Sequence, residues 1–331
     1  MNDQADRALL EALADGRWHS GEDLARMLGV TRAAVWKRLK KLERFPGVAL
    51  ERAPSRGYRL TSPLELLMPE RIRAHLSPSA AARIGAMEVH LQVDSTNARA
   101  QRLAPTETNR CVVVLAEHQT AGRGRRGRRW HSPLGGGLWF SLAWRFDLPL
   151  ADLGGLSLAV GAVVASVLEE EGLEGHVLKW PNDVLFDGRK LAGILVEASG
   201  EAGGPCLAVV GIGINLRLDE ASARSIDQPW IDLEQVMAAP PARNRLAGRM
   251  VQGVVEGCLR YGDSGLSSFL EVWRRRDGFR GRPVRLEGAG GGVRSGLCLG
   301  VDADGALLLE TGSGVERHHA GELSLRGGGD E

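Results

Sequence analysis

The 331-residue chain has only four cysteines, Cys111, Cys206, Cys258 and Cys298, and no two of them form a C-x-x-C pair. That disfavours both a thiolate zinc knuckle and a disulfide framework. The start, MNDQADRALL, lacks a basic segment followed by an apolar one, so no secretory signal is expected there. The longest weakly polar run, LSLAVGAVVASVL at 156–168, has 13 residues. A bilayer-crossing helix needs ~20, so the run is expected to be a buried helix and no membrane partner is expected. These absences point to a reducing, cytoplasmic setting. Charge of one sign is not in surplus: the formal net charge is +1, with 25% charged and 43% hydrophobic residues. That balance excludes wholesale disorder, and the length allows two or three cores. No G-x-x-x-x-G-K-[ST] loop, Ser/His/Asp order, carboxylate pair or metal-ligand cluster stands out. The chemistry expected has no covalent protein nucleophile.

What is present is unevenly placed. Residues 32–59 hold nine Lys or Arg against two Glu, whereas residues 61–331 hold 30 basic and 33 acidic residues. A basic module on a mildly acidic body suggests a polyanionic partner for the module. Three short helices are predicted there. The first runs through RALLEALADG to Gly16. The second, SGEDLARMLG, has Ser20 three residues before Asp23, close to a capping box, and Gly29 as its stop. Thr31 is the expected cap of RAAVWKRLKKLE, where Val35, Leu39 and Leu42 share one face and Arg32, Lys37, Lys40 and Lys41 are left outward. A strand VALER, a turn PSRG and a strand YRL then predict a wing carrying Arg52, Arg56 and Arg59. The reading is a winged helix-turn-helix that binds DNA, the alternative being a structural or protein-binding module. A proline-punctuated linker follows, with a short helix between Pro69 and Pro78.

In the body, a strand leads to Asp94-Ser95-Thr96-Asn97 at a strand-to-helix junction, where Ser95 or Thr96 could cap the helix or bind a polar ring. CVVVLAEHQT is a strand ending at Gln119, and GRGRRGRRW at 122–130 follows it. Five arginines among three glycines suit an anchored loop that closes on a phosphorylated small molecule. Nucleic acid and plain surface charge are the alternatives. KWPNDVLFDGRKLAGILVE predicts a hairpin turning at Asp187-Gly188, with Lys179 and Lys190 flanking it. A lysine in so apolar a strand needs an anion. Asn182 and Asp183 offer amide and carboxylate groups, or merely a turn after Pro181. CLAVVGIGINLRL is a further strand, with Gly211 and Gly213 open to a ligand and Asn215 at its exit. His118 and His131 are isolated.

DSTN at 94–97, GRGRRGR at 122–128, KWPNDV at 179–184, RKLAGILVE at 189–197 and GIGIN at 211–215 occur in an order that resembles the bifunctional biotin protein ligases that double as biotin operon repressors. The resemblance covers nearly the whole chain. It implies an α/β multidomain protein: a winged helix-turn-helix over 1–62, a linker with a short helix over 63–86, a central mixed-sheet catalytic domain over 87–279, and an SH3-like barrel over 280–331. It implies biotin and MgATP as substrates, no tightly held organic cofactor, and biotinyl-5′-adenylate as intermediate. Ser95, Thr96, Gln119, Gly122, Arg123 and Gly124 would hold biotin. Arg125, Arg128, Lys179, Asn182, Lys190, Asn215 and Trp230 would hold the nucleotide, with Arg125, Lys190 and Asp183 catalytic and Asp183 placing Mg²⁺. Arg32, Lys37, Lys40, Arg52 and Arg56 would meet DNA. The implied partners are a biotin carboxyl carrier protein, a second copy in an adenylate-promoted dimer, and an inverted-repeat operator. Two alternatives are a ligase whose winged helix does not repress and a lipoate ligase, because HSPLGGGLWFS resembles that group. The glycine-rich 287–296 looks longer than the family pattern. Trp36 stands where a smaller polar residue is familiar.

Overall fold

The computed structural model describes residues 3–201, 203–219, 224–288 and 292–325. Part of the glycine-rich segment, 289–291, and the end of the chain, 326–331, lie outside the described residues.

The first helices are α1 (Asp3–Leu13), α2 (Gly21–Leu28) and α3 (Arg32–Leu42). The Ser20 hydroxyl accepts the Asp23 amide and donates to the Asp23 carboxylate. Gly29 ends α2 in the left-handed conformation, at φ 63°. Thr31 caps α3 by accepting the Ala34 amide. Val35, Leu39 and Leu42 are fully buried, each burial contributing about 1.5–3 kcal/mol. Strands β1 (Leu50–Ala53) and β2 (Gly57–Leu60) form the wing. Gly57 is required there: its φ is 96°, and a Cβ would come within 2.0 Å of the His19 carbonyl.

After α4 (Pro69–Arg73) and α5 (Pro78–Arg83), the second of which the sequence reading did not anticipate, a seven-stranded mixed sheet begins. Its strands are β3 (Ile84–Val93), β4 (Cys111–Gln119), β5 (Gly137–Phe146), β6 (Val177–Lys179), β7 (Asp183–Phe186), β8 (Arg189–Gly200) and β9 (Cys206–Asn215). Their order is β3-β4-β5-β9-β8-β7-β6, with β3–β4 parallel and the other pairings antiparallel. Strand periodicity splits the core. Cys111, Val113 and Leu115 face the large cluster, whereas Val112 and Val114 pack with Ala100 of α6 (Thr96–Arg102). Helices α7 (Leu156–Glu170) and α9 (Arg243–Ser264) cover the first face, with α8 (Leu233–Val236) and α10 (Leu270–Arg276) beside them. The stretch Leu150–Glu170 has the length and apolarity of a membrane span, with mean hydropathy 1.8, yet α7 buries most of its residues inside the fold.

Strands β10 (Pro283–Glu287), β11 (Val293–Val301), β12 (Leu307–Thr311), β13 (Gly314–His318) and β14 (Glu322–Leu325) make a second, antiparallel sheet. Its order is β13-β12-β11-β10-β14, and among the described residues no pairing closes it into a barrel.

Candidate functional site

A cleft of about 750 Å³ opens beside α6, between the central sheet and the end of the terminal sheet. At one end lies a buried polar strip. Ser95 accepts the Ala98 amide at 3.5 Å as the cap of α6. The Thr96 amide and hydroxyl donate to Gln119 Oε1 at 2.9 and 3.1 Å, and Gln119 Nε2 donates to Ser132 Oγ at 3.0 Å. Ser141 beneath them donates to Thr96 Oγ1 at 2.7 Å. Capping and ligand presentation are thus not exclusive, because the cap fixes the hydroxyls at the cleft wall. Such a desolvated strip suits a neutral, hydrogen-bonding head group.

The arginine loop forms the rim, and its arginines have different tasks. Arg123 bonds Glu197 Oε2 at 3.0 Å, an oxygen that also accepts from Asn97 Nδ2 at 2.7 Å. Arg125 reaches Asn182 Oδ1 at 3.1 Å. Arg126, in the left-handed region at φ 55°, donates to the carbonyls of Glu287 and Gly288. Arg128 pairs with Glu322 of β14. Two arginines therefore fasten the loop to the terminal sheet. Gly122 must be small, because a Cβ would lie 2.6 Å from the Trp130 carbonyl, while Gly124 lies on the cleft wall.

Opposite the rim are Lys179, Asn182, Asp183 and Lys190. Asp187 and Gly188 both have positive φ, 50° and 71°, as the predicted hairpin turn demands. A third strand, β6, joins that hairpin in front of a cis Trp180–Pro181 bond. Lys190 Nζ stands 2.8 Å from Asp183 Oδ1. Even so, that buried oxygen makes no aligned hydrogen bond. Burial pushes the Lys179 ammonium below its ordinary pKa, and the Asp183 charge opposes this. Burial likewise depresses Arg125, again against Asp183. Three partly desolvated cations therefore surround one carboxylate, a field that favours an added anion. Glu322 is pulled both ways: burial raises its pKa, but the Arg128 hydrogen bond and charge hold it below the usual range.

Three expected positions do not line the cleft: Gly122, which packs against the Trp130 carbonyl, Asn215 and Trp230. Asn215 is buried behind the wall, donating to the carbonyls of Lys190 and Ile231 at 3.3 and 3.0 Å. Trp230 pairs with Lys190 through the backbone and does not line the cleft, although residues 226–229 do. Gly211 and Gly213 do admit close approach, but by protein groups. A Cβ on Gly211 would meet Asn97 Oδ1 at 2.2 Å, and one on Gly213 would meet the Trp130 ring at 2.4 Å. Trp130, with Lys190 Nζ 5.4 Å from its ring centroid, is a wall residue that sequence reasoning passed over. Glu197 and Glu322 were missed too. His118 proves to be buried, bonded to the Ser132 carbonyl and edge-on to Phe45, with burial lowering its pKa. His131 bonds Ser225 at the cleft.

In the N-terminal module Arg32, Lys37 and Lys40 are exposed on α3. Lys41 is not simply outward: it and Arg38 turn to Asp6, whose side chain is 1% exposed. On the wing, Arg52 pairs with Glu43 and Arg59 with Glu51, while Arg56 and Arg59 both stack over Trp18 at 4.8 Å.

A helix-turn-helix module joined to an anion-binding cleft defines a protein with two tasks, one on DNA and one on a small ligand. Comparisons make this specific. Residues 7–59 match the HTH domain, 89–215 the biotin/lipoate A/B protein ligase family, and 279–326 the biotin protein ligase C-terminal domain. The chain is 39% identical to the bifunctional ligase/repressor BirA of Salmonella typhimurium and 37% identical to that of Escherichia coli, each over 96% of both chains. A biotin protein ligase from Aquifex aeolicus, solved with biotin and ATP, is similar at 29% identity and TM-score 0.60, covering 73% of this chain and 99% of that one. The chain belongs to the biotin protein ligase family, in its bifunctional ligase/repressor branch.

Proposed function

We propose that this protein joins the biotin carboxylate to the α-phosphate of ATP, releasing pyrophosphate, and then passes biotin from the adenylate to a lysine of a biotin carboxyl carrier protein. One observation carries the reading: Arg125, Lys179 and Lys190 share a single cleft with the buried strip of Ser95, Thr96 and Gln119. The strip would hold the ureido ring, with Gly122, Arg123 and Gly124 closing over it. A carboxylate oxygen attacks the α-phosphorus, and Arg125 and Lys190 neutralise the charge that grows on the phosphate oxygens. Lys179 and Asn182 lie further along for the nucleotide. Arg128 acts by holding the loop closed, and Asn215 and Trp230 by fixing the backbone that carries Lys190. The product is a mixed anhydride, so a neutral amine attacks its carbonyl and AMP departs with the bond electrons.

Magnesium fits the donor set. Asp183 presents a buried carboxylate oxygen lacking an aligned hydrogen bond, and Mg²⁺ commonly takes one or two carboxylates and completes its shell with waters and phosphates. When bound, the ion would neutralise phosphate charge.

The same chain acts, in this reading, as a repressor in the cytoplasm. Residues 1–62 bind DNA, 87–279 catalyse, and the terminal sheet is the open face of an SH3-like unit. Adenylate promotes dimerisation along a strand edge of the central sheet, whose edges are β3 and β6. The dimer meets an inverted repeat, because half-sites mirror protein symmetry. Carrier binding to an overlapping surface competes with the dimer and links biotin demand to transcription.

The transfer test uses intact protein, biotin, MgATP and a panel of carrier domains, read by intact mass. One biotinyl group on a single carrier lysine, with no covalent enzyme adduct, is expected. Adenylate that accumulates and reaches no carrier in the panel rejects the ligase reading.

A further inference from the structure

Helix α3 carries an indole that its own fold does not use. Val35, Leu39 and Leu42 fill the core and are fully buried. Outside that buried face lie Ala33, Trp36, Lys37 and Lys40, all exposed, with exposed Arg44 in the turn just beyond the helix. Trp36 is 42% exposed. Its neighbour Lys40 places Nζ 4.2 Å from the ring centroid, which fixes the ring against the helix surface. Arg38 and Lys41 are turned aside to Asp6, whereas among the described residues Arg32, Lys37 and Arg44 form no ion pair. The outward face is therefore one flat apolar ring inside a frame of cations without acidic partners.

Charge complementarity selects duplex DNA as the occupant, since the cations can meet phosphates on both sides of a groove. The ring itself has no hydrogen-bonding role with bases except through one N–H. Its broad surface is apolar. In the major groove the apolar feature that differs among base pairs is the thymine 5-methyl group. We propose that Trp36 reads thymine methyl groups in each half-site, and that Lys40 is a positioning residue holding the indole in that orientation. The proposal rests on the DNA-binding reading above and adds the base class and the residue that reads it.

The test has two arms. Duplexes that bind the intact, adenylate-loaded protein are first selected from a random pool. Each thymine of the recovered site is then replaced singly by uracil, which removes only the methyl group. Affinity is expected to fall about fourfold at one or two thymines per half-site, the loss of one buried methyl. Trp36→Ala should bind thymine and uracil versions equally, while Trp36→Phe should keep part of the difference. Lys40→Met should blunt the uracil effect as well as lower the salt slope; a mere phosphate contact would lower the slope alone. A recovered site at which no uracil substitution matters, or matters equally in Trp36→Ala, overturns the proposal and leaves repression intact. Recovery of no preferred sequence overturns both. The uracil arm on the unaltered protein needs no variant to fold.

Discussion

Lys190 occupies a position that hydrophobicity alone would reject. It precedes Leu191 and Ala192, both fully buried, and its side chain is only 15% exposed. An ammonium there is tolerated because Asp183 lies 2.8 Å away. Lys190→Met should lower the rate of adenylate formation about 10²–10³-fold with little loss of stability, as when other preorganised donors are removed. Pyrophosphate exchange and a denaturant melt on the same sample separate the two effects. Residues of this kind were legible in sequence, because a charge in an apolar strand demands an explanation. Asn215 was harder. Its amide suits an adenine or a backbone carbonyl equally, and the structure uses it on the carbonyls of Lys190 and Ile231. Glu322 was illegible: it meets Arg128 across 194 residues of chain, and nothing in GELSL marks it.

Among elements, the junction from β3 to α6 is fastened by Glu88, which takes both Arg99 Nε and Nη2, at 2.8 and 2.9 Å. The Arg99 hydrogen bonds, against some burial and with help from His90, lower the Glu88 pKa from 4.5 to about 2. A depressed folded-state pKa gives stability that is complete above the unfolded value and is lost as pH falls toward the folded one. Glu88→Gln should therefore lower the unfolding free energy from a urea titration at neutral pH, by at most about 1 kcal/mol once solvent screening is allowed for. The difference should shrink between pH 4.5 and about 2. A difference that grows on acidification would contradict the assignment.

The arginine loop is held differently, by Arg126 and Arg128 on the terminal sheet. Glu322→Ala should free it and speed tryptic cutting between residues 123 and 129 severalfold, with adenylate restoring protection. The short helices α2 and α3 were legible because Ser20, Gly29 and Thr31 punctuate them. The long helix α9 was not anticipated. Its apolar residues are interrupted by Gly248, Gly253, Gly257 and Gly262, poor helix formers taken singly. Three of them serve packing instead: a Cβ on Gly248 would meet the Ile72 carbonyl at 2.6 Å, and one on Gly253 or Gly257 would press Val163 of α7 at 3.0 or 2.9 Å.

At the scale of the whole molecule, one buried ion pair joins three parts. Glu117, fully buried at the end of β4, accepts from Arg243 at the start of α9 and from the Leu67 amide of the linker. Arg243 also donates to the carbonyls of Glu65 and Gly137. Arg243→Met leaves Glu117 charged and without its partner, which should cost about 3–5 kcal/mol of unfolding free energy. A loss below 1 kcal/mol in a urea titration would show that the joint is not a structural keystone. The order of motifs made the N-terminal module and the central sheet readable from the sequence. This joint was not, since Glu65, Glu117 and Arg243 are far apart in sequence and none sits in a motif.

On the proposed function, the cleft between the arginine loop and Lys190 activates biotin with ATP. Isotope exchange between pyrophosphate and ATP tests it most directly, because exchange requires a reversibly formed adenylate and no carrier. With magnesium present, biotin should support rapid exchange and lipoate very little, and Lys190→Met should reduce the biotin signal about 10²–10³-fold. Exchange that does not depend on biotin, that lipoate supports equally, or that survives intact in Lys190→Met would rule out biotin activation in this cleft.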